Sequence, residues 1–118
     1  MTPDPIASRY AQALFEAAQG ERSTAQALEQ LLGIGTLLRD HQELRQFLWN
    51  PDVEPDDKLG VLDRLLKGAW SPLLQAFVRM VVAMGRVEHL PAVVEAFQAL
   101  ADEAAERMRA VVRVARPL

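Results

Sequence analysis

Residues 72–84 read PLLQAFVRMVVAM, and this segment is the strongest indicator of the fold class. Its only polar residues, Gln75 and Arg79, are spaced i,i+4 and share one edge of a helix. A helix with so wide an apolar surface is either central in a bundle or half-covered, with one face left for a partner. Both interpretations predict an all-α fold.

Helix start and stop signals surround this segment. Ser71 and Pro72 form an N-cap and first-position pair, and Gly85 closes the helix. Working outward, the same signals predict five more helices: from Pro5 to Gln19, from Ser23 to Asp40, a short one holding Leu44, Phe47 and Leu48, from Pro55 towards Gly68, and one that starts between Glu88 and Pro91 and reaches Met108. The chain is therefore predicted to be a six-helix bundle.

Some of these ends carry sharper expectations. Gly20 is expected at the C′ position of the first helix, because glycine accepts positive φ. Ser23 and Gln26 have the spacing of a capping box. Gly33 and Gly35 lie inside the second helix, where each costs about 1 kcal/mol relative to alanine. Close packing against a neighbouring helix and a break in the helix both explain them.

The end of the chain has a different character. Residues 109–116 read RAVVRVAR, and the β-branched valines with partial alternation predict a strand. A single strand has nothing to pair with in a helical bundle. We therefore predict a bundle over residues 1–108 and the truncated start of a second domain over residues 109–118; a frayed basic tail is the alternative.

Composition limits the classes of function. Of the 118 residues, 50% are hydrophobic and 25% are charged, as in ordinary globular domains. The net charge of −3 gives no general attraction to phosphate backbones, so nucleic acid is not expected as the main partner. There is no cysteine. The first ten residues, MTPDPIASRY, carry no basic n-region or apolar h-region and are not Arg-rich, so we expect neither a secretory signal nor a transit peptide. No apolar run approaches the ~20 residues of a membrane span, so direct membrane insertion is not expected.

Catalytic patterns are missing as well. His41 and His89 are the only histidines, and neither has acidic residues at metal-ligand spacing. The sequence contains no phosphate-binding loop or nucleophile elbow. Asp56 and Asp57 follow Pro55 in the first turn of a helix, where carboxylates are favourable for structural reasons. We expect a non-enzymatic protein without cofactor or metal.

The first helix also has more apolar surface than one core contact requires. Tyr10, Ala13, Leu14 and Ala17 form one stripe, and Ala11, Phe15 and Ala18 form the next. Two neighbouring helices with surplus apolar faces make a groove for an amphipathic helix of a partner.

Three collinear blocks resemble one family. SRYAQALFEAA at 8–18 is similar to the opening helix of the delta subunit of rotary ATP synthases, the family that includes the mitochondrial oligomycin-sensitivity-conferring protein. NPDVEPDDKLGVL at 50–62 and FVRMVVAMGRVEHLPAVVEAF at 77–97 resemble later segments of the same family. Met84 and Val87 depart from the family pattern, which often has Asn and Leu there.

The resemblance implies a six-helix bundle followed by the first strand of a C-terminal α/β domain that is otherwise missing here. It also implies a peripheral-stalk protein that binds the N-terminal helix of an ATP synthase α subunit between the first and fifth helices. The corresponding positions are Tyr10, Ala11, Leu14, Phe77, Val81 and Met84. Val81→Asp is expected to weaken binding without unfolding.

Further partners and a location follow from the same resemblance. Contacts with the peripheral-stalk b subunits would involve the missing domain. The expected location is the cytoplasmic side of a bacterial plasma membrane, with peripheral attachment through the ATP synthase complex. The alternative function is a small helical RNA-binding module of the antitermination type, which would need a basic face that the acidic composition does not suggest.

Overall fold

The computed structural model describes residues 4–66 and 68–115, and this part of the chain contains helices and no strand. The elements follow in the order α1 Pro5–Gly20, α2 Thr24–Asp40, α3 Gln42–Trp49, α4 Pro55–Leu66, α5 Pro72–Ala83, a 3-10 turn Val87–His89, and α6 Leu90–Ala115. The predicted all-α fold with six helices is confirmed.

The helix at the centre of the bundle is α6, against which both α1 and α2 pack. Its residues Leu90, Val93 and Phe97 are completely buried. The ring of Phe97 meets that of Phe15 on α1 edge-on, with centroids 5.5 Å apart and an interplanar angle of 72°. Such edge-to-face contacts favour aromatic pairs beyond their buried area. The central position thus belongs to α6, and α5 is the half-covered helix.

Both ends of α5 match the prediction. The Ser71 hydroxyl accepts a hydrogen bond from the Leu74 N–H at 3.3 Å. At the other end Gly85 has φ 71°, and the N–H of Arg86 donates to the Val81 carbonyl at 3.0 Å. This is a Schellman motif, in which a left-handed residue lets the chain satisfy the last carbonyls of the helix.

The end of α1 differs from the prediction. Gly20 is still helical, and the left-handed residue is Arg22, with φ 56°. The N–H of Ser23 donates to the Ala18 carbonyl at 2.8 Å, which completes a second Schellman motif. Ser23 therefore belongs to the end of α1 as well as to the start of α2. The predicted capping box is wrong, because the Ser23 side chain makes no capping hydrogen bond to α2.

The two glycines of α2 have different surroundings. The helix runs unbroken from Thr24 to Asp40, so a break is excluded. A Cβ on Gly35 would lie 3.3 Å from Cγ1 of Val94 on α6, which confirms close packing at that position. A Cβ on Gly33 would have no neighbour within 4 Å among the described residues. Close packing does not explain Gly33.

The predicted strand at 109–116 is wrong for residues 109–115, which continue α6; Arg116 lies outside the described residues. A helix needs no second strand, since each added residue bonds to the turn before it. Side-chain pairs on α6 support this continuation: Arg107 Nη1 lies 3.0 Å from Glu103 Oε1, and Arg109 pairs with Glu106. The helix therefore crosses the predicted boundary at residue 108 without interruption.

Candidate partner-binding site

Two side-chain contacts connect α1 with α5 and the turn that follows it. The rings of Tyr10 and Phe77 meet edge-on, with centroids 6.5 Å apart and an interplanar angle of 85°. Nearer the start of α1, Asp4 Oδ2 lies 2.6 Å from His89 Nδ1 in the 3-10 turn. The structure therefore brings together the two helices whose apolar faces were predicted to form a groove.

The six positions inferred from the resemblance occupy different depths in the structure. Ala11 and Val81 have no exposed surface, and Leu14 is 2% exposed. Phe77 is 7% exposed beneath the half-buried Tyr10. Met84 is 58% exposed. Tyr10 and Met84 can meet a partner directly, whereas the other four support the surface from below.

Helical spacing identifies the exposed apolar residues beside the Tyr10–Phe77 pair. Residues three, four or seven positions from Tyr10 share its edge of α1, and the same holds for Phe77 on α5. Those that are exposed or half-buried form what we call the α1/α5 surface: Ile6, Tyr10, Ala13 and Ala17 from α1, and Leu73, Met80 and Met84 from α5.

The predicted site lacked five of these residues: Ile6, Ala13, Ala17, Leu73 and Met80. The signal for Ala17 was present, because it continues the stripe of Tyr10 and Ala13. Sequence periodicity could not separate Met80 from Val81, since adjacent residues of a wide apolar arc look equally suited to the core. The packing of α5 decides it: Met80 is 42% exposed and Val81 is buried.

Charged side chains border the α1/α5 surface. Arg9 and Glu16 are exposed on the solvent side of α1. On α5, Arg79 Nη2 lies 3.8 Å from Asp63 Oδ2 of α4, and the two side chains are 59% and 45% exposed. Such a pair contributes little stability but keeps the border polar. An apolar strip between polar borders suits the apolar face of an amphipathic helix.

The described residues also form an open depression where α2 meets α3. Its lining residues are all polar: Asp40, His41, Gln42, Glu43 and Gln46. Within residues 4–66 and 68–115, no three His, Asp or Glu side chains converge as metal ligands. None of the helices in this part of the chain combines the length and hydrophobicity needed to cross a bilayer.

Comparison with known proteins agrees with the predicted resemblance. The family model described as ATP synthase delta (OSCP) subunit matches residues 6–118. A protein of Symbiobacterium thermophilum named ATP synthase subunit delta is 38% identical over 113 residues, which cover 96% of this chain and 61% of that protein. The protein of the same name from Rhodopirellula baltica is 34% identical over 116 residues, covering 98% of this chain and 51% of that protein.

A third relative, from Crocosphaera subtropica and also named ATP synthase subunit delta, is 37% identical over 95 residues, with 80% of this chain and 51% of that protein covered. The chain thus spans between 51% and 61% of the length of these three relatives. The matches run through all six helices and both sides of the α1/α5 surface. The chain belongs to the ATP synthase delta (OSCP) subunit family.

Proposed function

We propose that this domain is a non-catalytic stator component of the rotary ATP synthase that binds the N-terminal helix of an α subunit on the α1/α5 surface. The observation that carries the proposal is a strip of exposed and half-buried apolar residues along two helices joined by the Tyr10–Phe77 contact. Membership of the delta subunit family supports the choice of partner.

The surface is suited to a helix by its chemistry. Burying four apolar side chains of a partner contributes ~1.5–3 kcal/mol each, from which ordering costs are subtracted. Met80 and Met84 lie one turn apart, and unbranched thioether side chains adapt their shape to a partner. Tyr10 adds a rigid aromatic surface supported by Phe77 from below.

The wider role is part of the same proposal. Holding the α subunit would connect the catalytic head to the membrane sector through the peripheral stalk. The protein would then sit at the cytoplasmic face of a bacterial plasma membrane as a peripheral part of the complex. Contacts with the b subunits are proposed for a C-terminal domain outside these 118 residues.

Isothermal titration calorimetry with a synthetic peptide of the α-subunit N-terminus from the same organism tests the proposal. We expect binding by the wild-type domain and weaker binding by Met80→Asp and Met84→Asp. Met108→Asp is the matched control, because Met108 is 65% exposed on α6 but lies outside the α1/α5 surface. Absence of binding at high micromolar concentration, or equal effects of all three variants, would contradict the proposal.

A further inference from the structure

The methionines are unusually placed for apolar residues. All three in the described part of the chain are exposed: Met80 to 42%, Met84 to 58% and Met108 to 65%. Met80 and Met84 share one edge of α5 at i,i+4 spacing, within the α1/α5 surface. Met108 lies on α6 and is not one of the residues that form that surface. Two methionine side chains are thus exposed where the proposed partner binds.

We propose that Met80 and Met84 form an oxidation-sensitive site that switches helix binding off, an inference that rests on the proposed function. Hydrogen peroxide is the oxidant. Its O–O bond breaks as one oxygen atom bonds to Sδ, so the thioether loses two electrons and the peroxide is reduced to water. The product, methionine sulfoxide, is polar and can be reduced back to the thioether enzymatically.

The surroundings of the two sulfur atoms explain why oxidation would act on binding. In the free domain a sulfoxide at either position faces water, so the oxygen keeps its hydrogen bonds and the fold is little affected. Beneath a partner helix the same oxygen would lie among apolar groups. Apart from Tyr10, the residues of the α1/α5 surface carry no side-chain hydrogen-bond donor. Burying an unsatisfied polar group opposes association.

We therefore expect binding of the partner helix and oxidation of Met80 and Met84 to oppose each other. A bound helix would cover Met80 and Met84 and slow their oxidation, whereas Met108 would react at the same rate with or without the helix. Treating the domain with hydrogen peroxide and measuring oxidation of each methionine by peptide mass spectrometry gives this comparison. We expect protection by the α-subunit peptide at positions 80 and 84 alone.

Affinity is measured on the same samples by calorimetry. Oxidation of the wild-type domain should weaken peptide binding roughly tenfold or more, which corresponds to about 1.4 kcal/mol. For the double variant Met80→Leu/Met84→Leu, affinities measured before and after treatment should be equal, because leucine has no sulfur to oxidise. Met108→Leu is the matched control and should remain as sensitive as wild type. Treatment with methionine sulfoxide reductases should restore wild-type binding.

The possible failures are distinguishable. If the untreated domain does not bind the peptide, the proposed function fails and the oxidation switch fails with it. If the untreated domain binds, and oxidation of Met80 and Met84 leaves the affinity unchanged, the switch alone is overturned. The same holds if the double leucine variant loses affinity as much as wild type, since the loss then arises elsewhere. Circular dichroism of the oxidised protein detects any loss of fold.

Discussion

Asp4 and His89 are 85 positions apart in the sequence, yet Asp4 Oδ2 lies 2.6 Å from His89 Nδ1. A carboxylate can only accept, so the histidine ring donates. The other carboxylate oxygen, Oδ1, accepts from the N–H groups of Ile6 and Ala7 at 3.1 Å each. One side chain thus caps α1 and also attaches its start to the turn after α5. This contact fixes one end of the α1/α5 surface.

The Asp4 contacts predict a pH dependence of stability. The hydrogen bond from His89 lowers the pKa of Asp4 below its ordinary value of 3.8, and the Ala7 N–H lowers it further. Because the folded pKa is below the unfolded one, the contribution is complete above 3.8 and is lost as pH falls through the folded pKa. Asp4→Asn, which keeps a capping side chain, should therefore be less stable than wild type at neutral pH.

Urea denaturation of both proteins between neutral pH and strongly acidic pH measures this difference. We expect the two free energies of unfolding to converge as pH falls through the folded pKa of Asp4, which lies below 3.8, because the wild-type carboxylate becomes protonated there. Asp102→Asn, at an exposed carboxylate in the middle of α6, is the control and should not reproduce the effect. A constant difference between wild type and Asp4→Asn at all pH values would contradict the role of the charge.

Arg22 predicts a stabilising substitution. It adopts φ 56° at the C′ position of α1, where a Cβ costs about 1 kcal/mol or more and glycine is unstrained. Arg22→Gly should therefore raise the free energy of unfolding by roughly 1 kcal/mol, as seen in chemical denaturation. Gly85→Ala is the mirror test, because Gly85 holds the same position after α5 with φ 71°, and alanine there should destabilise. If both substitutions stabilise the domain, or both destabilise it, Arg22 and Gly85 do not have the same role at the ends of α1 and α5.

The two glycines of α2 offer a matched pair. Gly33→Ala fills open space in a helix interior and should stabilise the domain by about 1 kcal/mol. Gly35→Ala places its Cβ 3.3 Å from Val94 Cγ1, and that side chain is branched and 7% exposed. A β-branched side chain has few alternative rotamers, so Val94 cannot easily move away from the new Cβ. The stability gained from the higher helix propensity of alanine should therefore be offset at this position. Thermal melting of both variants should give a clearly higher midpoint for Gly33→Ala.

Because Val81 is buried, we expect Val81→Asp to destabilise the domain, contrary to the expectation from the sequence that it would weaken binding without unfolding. Val81→Asp would place an unpaired carboxylate where no side-chain surface reaches solvent, and should destabilise the domain by more than about 3 kcal/mol. Met80→Asp, one residue away and 42% exposed, should change stability by less than about 1 kcal/mol. Denaturation curves compare them directly, and similar losses for both would mean that α5 is packed differently.

The helices and the resemblance to the family could be predicted from local sequence signals alone. Pro55 and Ser71-Pro72 carry local start signals whose physics needs no distant partner, and the structure has α4 and α5 beginning there. Local signals were weaker where two roles compete for one residue. Ser23 was predicted to form a capping box with Gln26. Its N–H instead donates to the Ala18 carbonyl at the end of α1 and is not free for the Gln26 side chain. The valines after residue 108 favoured a strand locally, whereas the helix already formed by α6 extended through them.

Which side of each apolar helix faces solvent depends on how the helices pack against one another, and could not be predicted from the sequence. A wide apolar arc on α5 is compatible with burial of either Met80 or Val81, because periodicity measures hydrophobicity and not the direction of neighbouring helices. Contacts between distant segments, Tyr10 with Phe77 and Asp4 with His89, set that direction. In the resulting orientation of α5, Val81 lies in the core, and Met80 and Met84 are exposed to solvent. Burial of a side chain depends on the helices packed around it, so the sequence of one helix does not specify it.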